Sequence, residues 1–131
     1  MKTLIVEDDY ASRIILQRLL MRYGETQVAG DGEEAMAKFT SAKDAGHPFD
    51  LVCLDIMLPK LDGLSVLRAI RALESAVTPN AKKPIRIIMT TAVNDKANVV
   101  AAIKNCDGFI VKPYDMDKLI LCLKGLGFEP A

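Results

Sequence analysis

Five short apolar runs constrain the fold of this chain more than any other feature of its sequence. They cover residues 4–6, 28–29, 51–54, 85–89 and 109–111. Three of them are continuous rather than alternating, which is typical of central strands in a parallel sheet that has helices on both faces. The runs therefore predict five strands that are joined by right-handed crossover connections.

Each run is followed by a segment with helix signals. The first helix is predicted over residues 10–23 with Gly24 as its stop, and the second starts at Asp31 with Glu34 at capping-box spacing. The other three are predicted by their starts, which lie after Asp62-Gly63, near Asn94 or Asp95, and after Pro113. Five strands that alternate with five helices predict an α/β fold, a doubly wound five-stranded parallel sheet that forms a single domain over residues 1–131.

The balance of charge excludes some classes of partner. The chain has 17 basic and 17 acidic side chains, so its net charge gives no reason to expect nucleic acid as a partner. No apolar run approaches the roughly 20 residues of a membrane span, and the apolar stretch after Met1 is too short for a signal peptide. Three cysteines without CxxC spacing argue against structural zinc and favour a cytoplasmic, reduced protein.

Polar side chains follow four of the five predicted strands. They are three acids after the first strand, one acid after the third, two threonines after the fourth and a lysine after the fifth: Glu7, Asp8, Asp9, Asp55, Thr90, Thr91 and Lys112. The carboxyl ends of parallel strands lie at one edge of the sheet, so we expect these groups to converge there. Carboxylates at close range repel by about 4 kcal/mol per pair at an effective dielectric of 20, and a divalent cation removes that repulsion.

The chemistry of these groups suits Mg²⁺ and a phosphoryl group. Mg²⁺ prefers carboxylate and carbonyl oxygens and water, and it also takes phosphate oxygens. The ammonium of Lys112 and the hydroxyl of Thr91 suit two oxygens of a phosphoryl group. A metal, a lysine and a hydroxyl around Asp55 are typical of a carboxylate nucleophile that forms an acyl phosphate.

Five separated motifs occur in order at these strand ends: Glu7-Asp8, Asp55, Pro59 with Gly63, Thr91-Ala92 and Lys112-Pro113. This set resembles the receiver domain of bacterial two-component response regulators, in the stand-alone, CheY-like form. The resemblance implies a flavodoxin-like fold and a switch that a histidine kinase or a phosphotransfer protein phosphorylates with Mg²⁺. It also implies signalling by protein–protein contact, with no enzymatic activity beyond the domain's own phosphorylation and dephosphorylation.

The resemblance also assigns roles to individual residues. Asp55 is expected to carry the phosphoryl group and to ligate Mg²⁺. Asp8 is expected to ligate the metal directly, Glu7 mainly through water, and Met57 through its backbone carbonyl.

The same resemblance assigns the response to phosphorylation. Thr91 and Lys112 are expected to contact the phosphoryl group, and Phe109 is expected to be the aromatic switch that turns inward when Thr91 moves. The face formed by the fourth helix, the fifth strand and the fifth helix is expected to bind an unknown target protein.

Two assignments have alternatives. The metal pair is either Glu7 with Asp8 or Asp8 with Asp9; Arg13, five residues after Asp8, favours the first, with Asp9 as a helix cap. Thr90 is a rival to Thr91, although the small Ala92 that follows favours Thr91.

Other functions fit the sequence less well. An Asp-dependent phosphatase usually has a second Asp two residues after the nucleophile, where this chain has Met57, and no G-x-G-x-x-G motif for a dinucleotide follows the first strand. A receiver that works without phosphate is disfavoured because the acid, Asp, Thr and Lys set is intact. The short sequence after Phe128 favours a stand-alone domain without a DNA-binding output.

Overall fold

The computed structural model describes residues 1–77, 84–92, 96–102, 104–113 and 115–130, with the backbone alone at 75–77, 96, 98 and 99. Within these residues, five strands and five helices alternate. The strands are β1 (Lys2–Val6), β2 (Glu25–Ala29), β3 (Leu51–Asp55), β4 (Arg86–Thr91) and β5 (Gly108–Val111). The helices are α1 (Tyr10–Leu20), α2 (Gly32–Asp44), α3 (Gly63–Val77), α4 (Lys96–Ala102) and α5 (Met116–Gly125).

The strands form one parallel sheet in the order β2-β1-β3-β4-β5. The chain winds outward in opposite directions from β1 and β3, so the winding direction reverses between these two neighbours. In sheets of this kind, ligands bind outside the carboxyl ends of the strands at that reversal. The topology therefore predicts a ligand site at the residues that follow β1 and β3.

Each face of the sheet has its own apolar core. Leu4 and Val6 of β1 face one core together with buried side chains of α2, α3 and α4, whereas Ile5 faces the other core together with side chains of α1 and α5. This alternation explains why the central strands read as continuous apolar runs, because both of their faces are buried. The predicted doubly wound α/β fold is confirmed.

The predicted boundaries were wrong at several elements. Helix α1 ends at Leu20 rather than Tyr23, and β2 begins three residues before Val28 because an edge strand keeps partly exposed polar residues. Strand β4 runs past Met89 and includes both threonines. The predicted start of the fourth helix, at residues 94–95, lies outside the described residues.

The three cysteines are free thiols. Burial raises the pKa of Cys53 to about 12, with a smaller contribution from its electrostatic interaction with Cys122. No helix in the described part of the chain is long and apolar enough to cross a membrane.

Candidate functional site

Three carboxylates meet at the carboxyl ends of β1 and β3. Glu7 follows β1 directly, its backbone N–H donates to the Ala29 carbonyl at 3.1 Å, and its side chain is fully buried. Asp55 is the last residue of β3 and is also buried, whereas Asp8 is exposed. One oxygen from each of Glu7, Asp8 and Asp55 lies within 4.8 Å of the other two. The structure thus brings together the three side chains that the sequence assigned to Mg²⁺.

Lys112 connects two of these carboxylates. It directly follows β5, where its backbone N–H donates to the Thr91 carbonyl at 2.8 Å, and the Lys112–Pro113 peptide bond is cis. Its ammonium donates to Asp55 Oδ2 at 2.7 Å and to Glu7 Oε1 at 2.9 Å. The sequence placed Lys112 at the site as a phosphate ligand and missed its contact with Glu7.

Two opposing effects act on the pKa of Lys112. Burial by itself lowers the pKa of Lys112, but hydrogen bonds from its ammonium to Asp55 and Glu7, together with their charges, outweigh burial and raise the pKa. Lys112 therefore stays charged at neutral pH. Three carboxyl groups thus lie around one ammonium in the described part of the chain.

The donor set fits a divalent cation. Three carboxylates that lie close together offer the hard oxygen ligands that Mg²⁺ prefers, and exposed Asp8 leaves a side open for the waters that Mg²⁺ keeps. Repulsion between carboxylates at this range favours such an ion.

The backbone of Met57 lies against the Asp55 side chain. Its N–H donates to Asp55 Oδ1 at 3.1 Å, and its side chain is 65% exposed. This hydrogen bond orients the Asp55 carboxylate. The role of the Met57 carbonyl as a metal ligand stays a prediction.

The two candidate threonines end strand β4. Thr90 lies directly opposite Asp55 in the β3–β4 ladder, and the backbone of Thr91 lies beside that of Lys112. The Thr91 hydroxyl donates to the Ala92 carbonyl at 3.3 Å, and Thr91 is almost fully buried. Both threonines are thus at the edge of the site, and the role of Thr91 stays a prediction.

Phe109 lies on the same face of the sheet as Thr91. It is paired with Met89, two residues before Thr91 on β4, and side chains two residues apart share a face. Phe109 is partly buried against the core that α2, α3 and α4 cover. Its role as a switch also stays a prediction.

Asp9 has a separate task at the start of α1. It is the N-cap residue, and its side chain accepts a hydrogen bond from the Ser12 backbone N–H at 2.9 Å. Hydrogen bonds with Ser12 lower the pKa of Asp9 despite its exposure. The predicted capping role of Asp9 is confirmed, which supports Glu7 with Asp8 as the metal pair.

Comparison with known proteins agrees with this geometry. The response regulator receiver domain family matches residues 3–124. A Rhizobium etli protein called "Probable chemotaxis protein CheY" is 36% identical over 121 residues, which cover 90% of this chain and 85% of that protein. The crystallized Vibrio cholerae chemotaxis protein CheY4 has a TM-score of 0.76 at 26% identity, covering 95% of this chain and 96% of that one.

Longer regulators match as well. The Bacillus subtilis transcriptional regulatory protein ResD is 36% identical over 127 residues, which are 95% of this chain but 47% of that protein. This chain thus spans about half the length of such transcriptional regulators. It belongs to the response regulator receiver family, the phosphorylation-activated signalling switches of two-component systems.

The adjacent residues Asp8 and Asp9 allow a paired test of the site. We expect Asp8→Ala to weaken Mg²⁺ binding by about tenfold or more, because it removes a ligand from the cluster. Asp9→Ala should instead lower the urea midpoint of unfolding, because it removes a helix cap, while Mg²⁺ affinity stays near that of the unaltered protein. Calorimetric titration with Mg²⁺ and urea unfolding measure the two quantities. Equal losses of metal affinity in both variants would contradict the assignment.

Proposed function

We propose that this chain, as a single receiver domain over residues 1–131, accepts a phosphoryl group on Asp55 from a histidine kinase or a phosphotransfer protein. The observation that carries the proposal is the buried Asp55 carboxylate, which lies 2.7 Å from the Lys112 ammonium and within 4.8 Å of a carboxylate oxygen from each of Glu7 and Asp8. A buried carboxylate that a lysine and two further acids surround is costly to maintain for stability alone.

The residues around Asp55 divide the work of phosphoryl transfer. Glu7, Asp8, Asp55 and the Met57 carbonyl would hold Mg²⁺, which when bound neutralises charge on the phosphoryl oxygens. An Asp55 oxygen forms a bond to phosphorus while the bond from phosphorus to the donor breaks. The Met57 N–H holds the Asp55 carboxylate in place, and the Lys112 ammonium exchanges a carboxylate contact for a phosphoryl oxygen. Positioning and charge supply most of the rate in such transfers, and the domain catalyses only its own modification.

Acetyl phosphate tests the acceptor directly. With Mg²⁺ present, intact-mass spectrometry should show one added phosphoryl group, and chelation of the metal should abolish the addition. Asp55→Asn should prevent it, because an amide is a poor nucleophile. Asp62→Asn is the matched control and should be phosphorylated like the unaltered protein. Asp62 is an acid seven residues further along the chain, and its carboxylate accepts a hydrogen bond from the Ser65 N–H. Full phosphorylation of the Asp55→Asn variant would refute the proposal.

We propose further that phosphorylation changes the face built from α4, β5 and α5, and that this face binds the downstream target. The Thr91 hydroxyl, which now bonds the neighbouring Ala92 carbonyl, would turn to the phosphoryl group. The partly buried Phe109 on the same face of the sheet would then move into the space that Thr91 leaves. Apolar burial of part of one ring is a modest driving force, so phosphorylation shifts a population between two states.

NMR spectroscopy with beryllofluoride, which mimics the phosphoryl group, tests this response. We expect amide shifts near Asp55 and also across β5 and the start of α5, because the Phe109 ring changes its position. Phe109→Ala should keep the shifts near Asp55 and lose most of those in α5. Shifts confined to the Asp55 pocket in the unaltered protein would contradict the switch.

We propose that the chain signals by protein contact, because its balanced charge gives no reason to expect contact with nucleic acid. We place it in the cytoplasm because its three cysteines are free thiols, as is usual in a reducing compartment.

A further inference from the structure

The loop between β3 and α3, residues 56–62, packs directly against the first residue of α2. A β-carbon at Gly32 would lie 1.9 Å from the Leu61 carbonyl oxygen and 2.7 Å from the Leu61 Cβ. No side chain fits at such distances, so the two backbones are in contact only because residue 32 is glycine. The Gly32 N–H also faces the Pro59 carbonyl oxygen, at 3.5 Å.

The same loop begins and ends at the proposed phosphoryl acceptor. The Met57 N–H donates to Asp55 Oδ1 at 3.1 Å, and the Gly63 N–H donates to the Ile56 carbonyl at 2.9 Å. A β-carbon at Gly63 would lie 2.1 Å from the Asp55 carbonyl oxygen. The loop thus contacts Asp55 on one side and Gly32 on the other.

A strained residue at the middle of the loop is held by the same helix. Lys60 has φ of 66°, which is uncommon for a residue other than glycine. Its ammonium lies 3.5 Å from Oδ2 of Asp31, the N-cap residue of α2. Strained backbone of this kind persists only where its surroundings fix it, and here the start of α2 is that surrounding.

We propose that Gly32 is a positioning residue for the metal and phosphate site. By admitting the 56–62 loop against the start of α2, it fixes the Met57 backbone beside Asp55. This inference rests on the proposed function, because it assigns Gly32 a task in presenting the ligands of Mg²⁺. It assigns that task to a residue that itself contacts neither the metal nor the phosphoryl group.

Gly32→Ala and Gly24→Ala form a matched pair of variants. A β-carbon at Gly24 would lie 2.1 Å from the Met1 carbonyl oxygen, a similar clash at the amino ends of the strands, away from the site, and Gly24 also has a positive φ of 149°. Both variants should lose stability in urea unfolding without metal. Only Gly32→Ala should also weaken Mg²⁺ binding, by about tenfold or more in calorimetric titration, as is usual when the support of a metal ligand is lost.

Lys60→Asn is the second variant, which decides the question if Gly32→Ala does not fold. Asparagine tolerates positive φ, and the change removes the ion pair with Asp31. Loss of a positive charge by itself strengthens cation binding, whereas loss of positioning weakens it. We expect about two- to fivefold weaker Mg²⁺ binding, in line with an exposed ion pair.

The outcomes separate the two proposals. Unchanged Mg²⁺ affinity in folded Gly32→Ala would overturn the role of Gly32. If Gly32→Ala does not fold, unchanged or stronger Mg²⁺ binding by Lys60→Asn would overturn the support of the loop by the start of α2, on which that role rests. An equal loss of affinity in Gly24→Ala would overturn it as well, because the effect would then follow stability. If the unaltered protein neither binds Mg²⁺ nor accepts phosphate, the proposed function itself fails.

Discussion

The Lys112 ammonium between Glu7 and Asp55 is the interaction on which the site depends. Two buried carboxylates at close range are unfavourable, both because they lose hydration and because they repel each other. Lys112 offsets part of this cost with hydrogen bonds of 2.7 and 2.9 Å. One ammonium lies among three carboxyl groups, and a divalent cation would relieve the repulsion between carboxylates that remains.

The fold brings these groups together from distant parts of the chain. Glu7 and Lys112 are 105 residues apart, yet each follows directly after a strand of one parallel sheet. Parallel strands place their carboxyl ends at one edge, and the reversal of winding between β1 and β3 opens that edge to ligands. The 56–62 loop follows Asp55 and packs against Gly32 at the start of α2. We therefore propose that α2, which contributes no ligand, also supports the site.

Much of the fold could be predicted from the sequence, since the signals are local. Continuous apolar runs marked the central strands, and the acids, threonines and lysine at strand ends indicated which groups converge. The extent of β2 could not be predicted, because an edge strand with polar residues lacks the apolar run. The contact of Lys112 with Glu7 was also missed, because an ion pair between distant residues leaves no local pattern. The close approach at Gly32 depends on tertiary packing in the same way.

A double-mutant cycle of Lys112→Met and Asp55→Asn, measured as urea unfolding free energies at neutral pH without metal, tests this account most directly. Lys112→Met alone should cost about 3 kcal/mol, because it leaves buried carboxylates without their cation. When Asp55 is already Asn, the cost of Lys112→Met should be smaller, by a coupling energy of about 1–3 kcal/mol between the two positions. Strictly additive losses would contradict the account, because they would mean that Lys112 does not stabilise the Asp55 carboxylate.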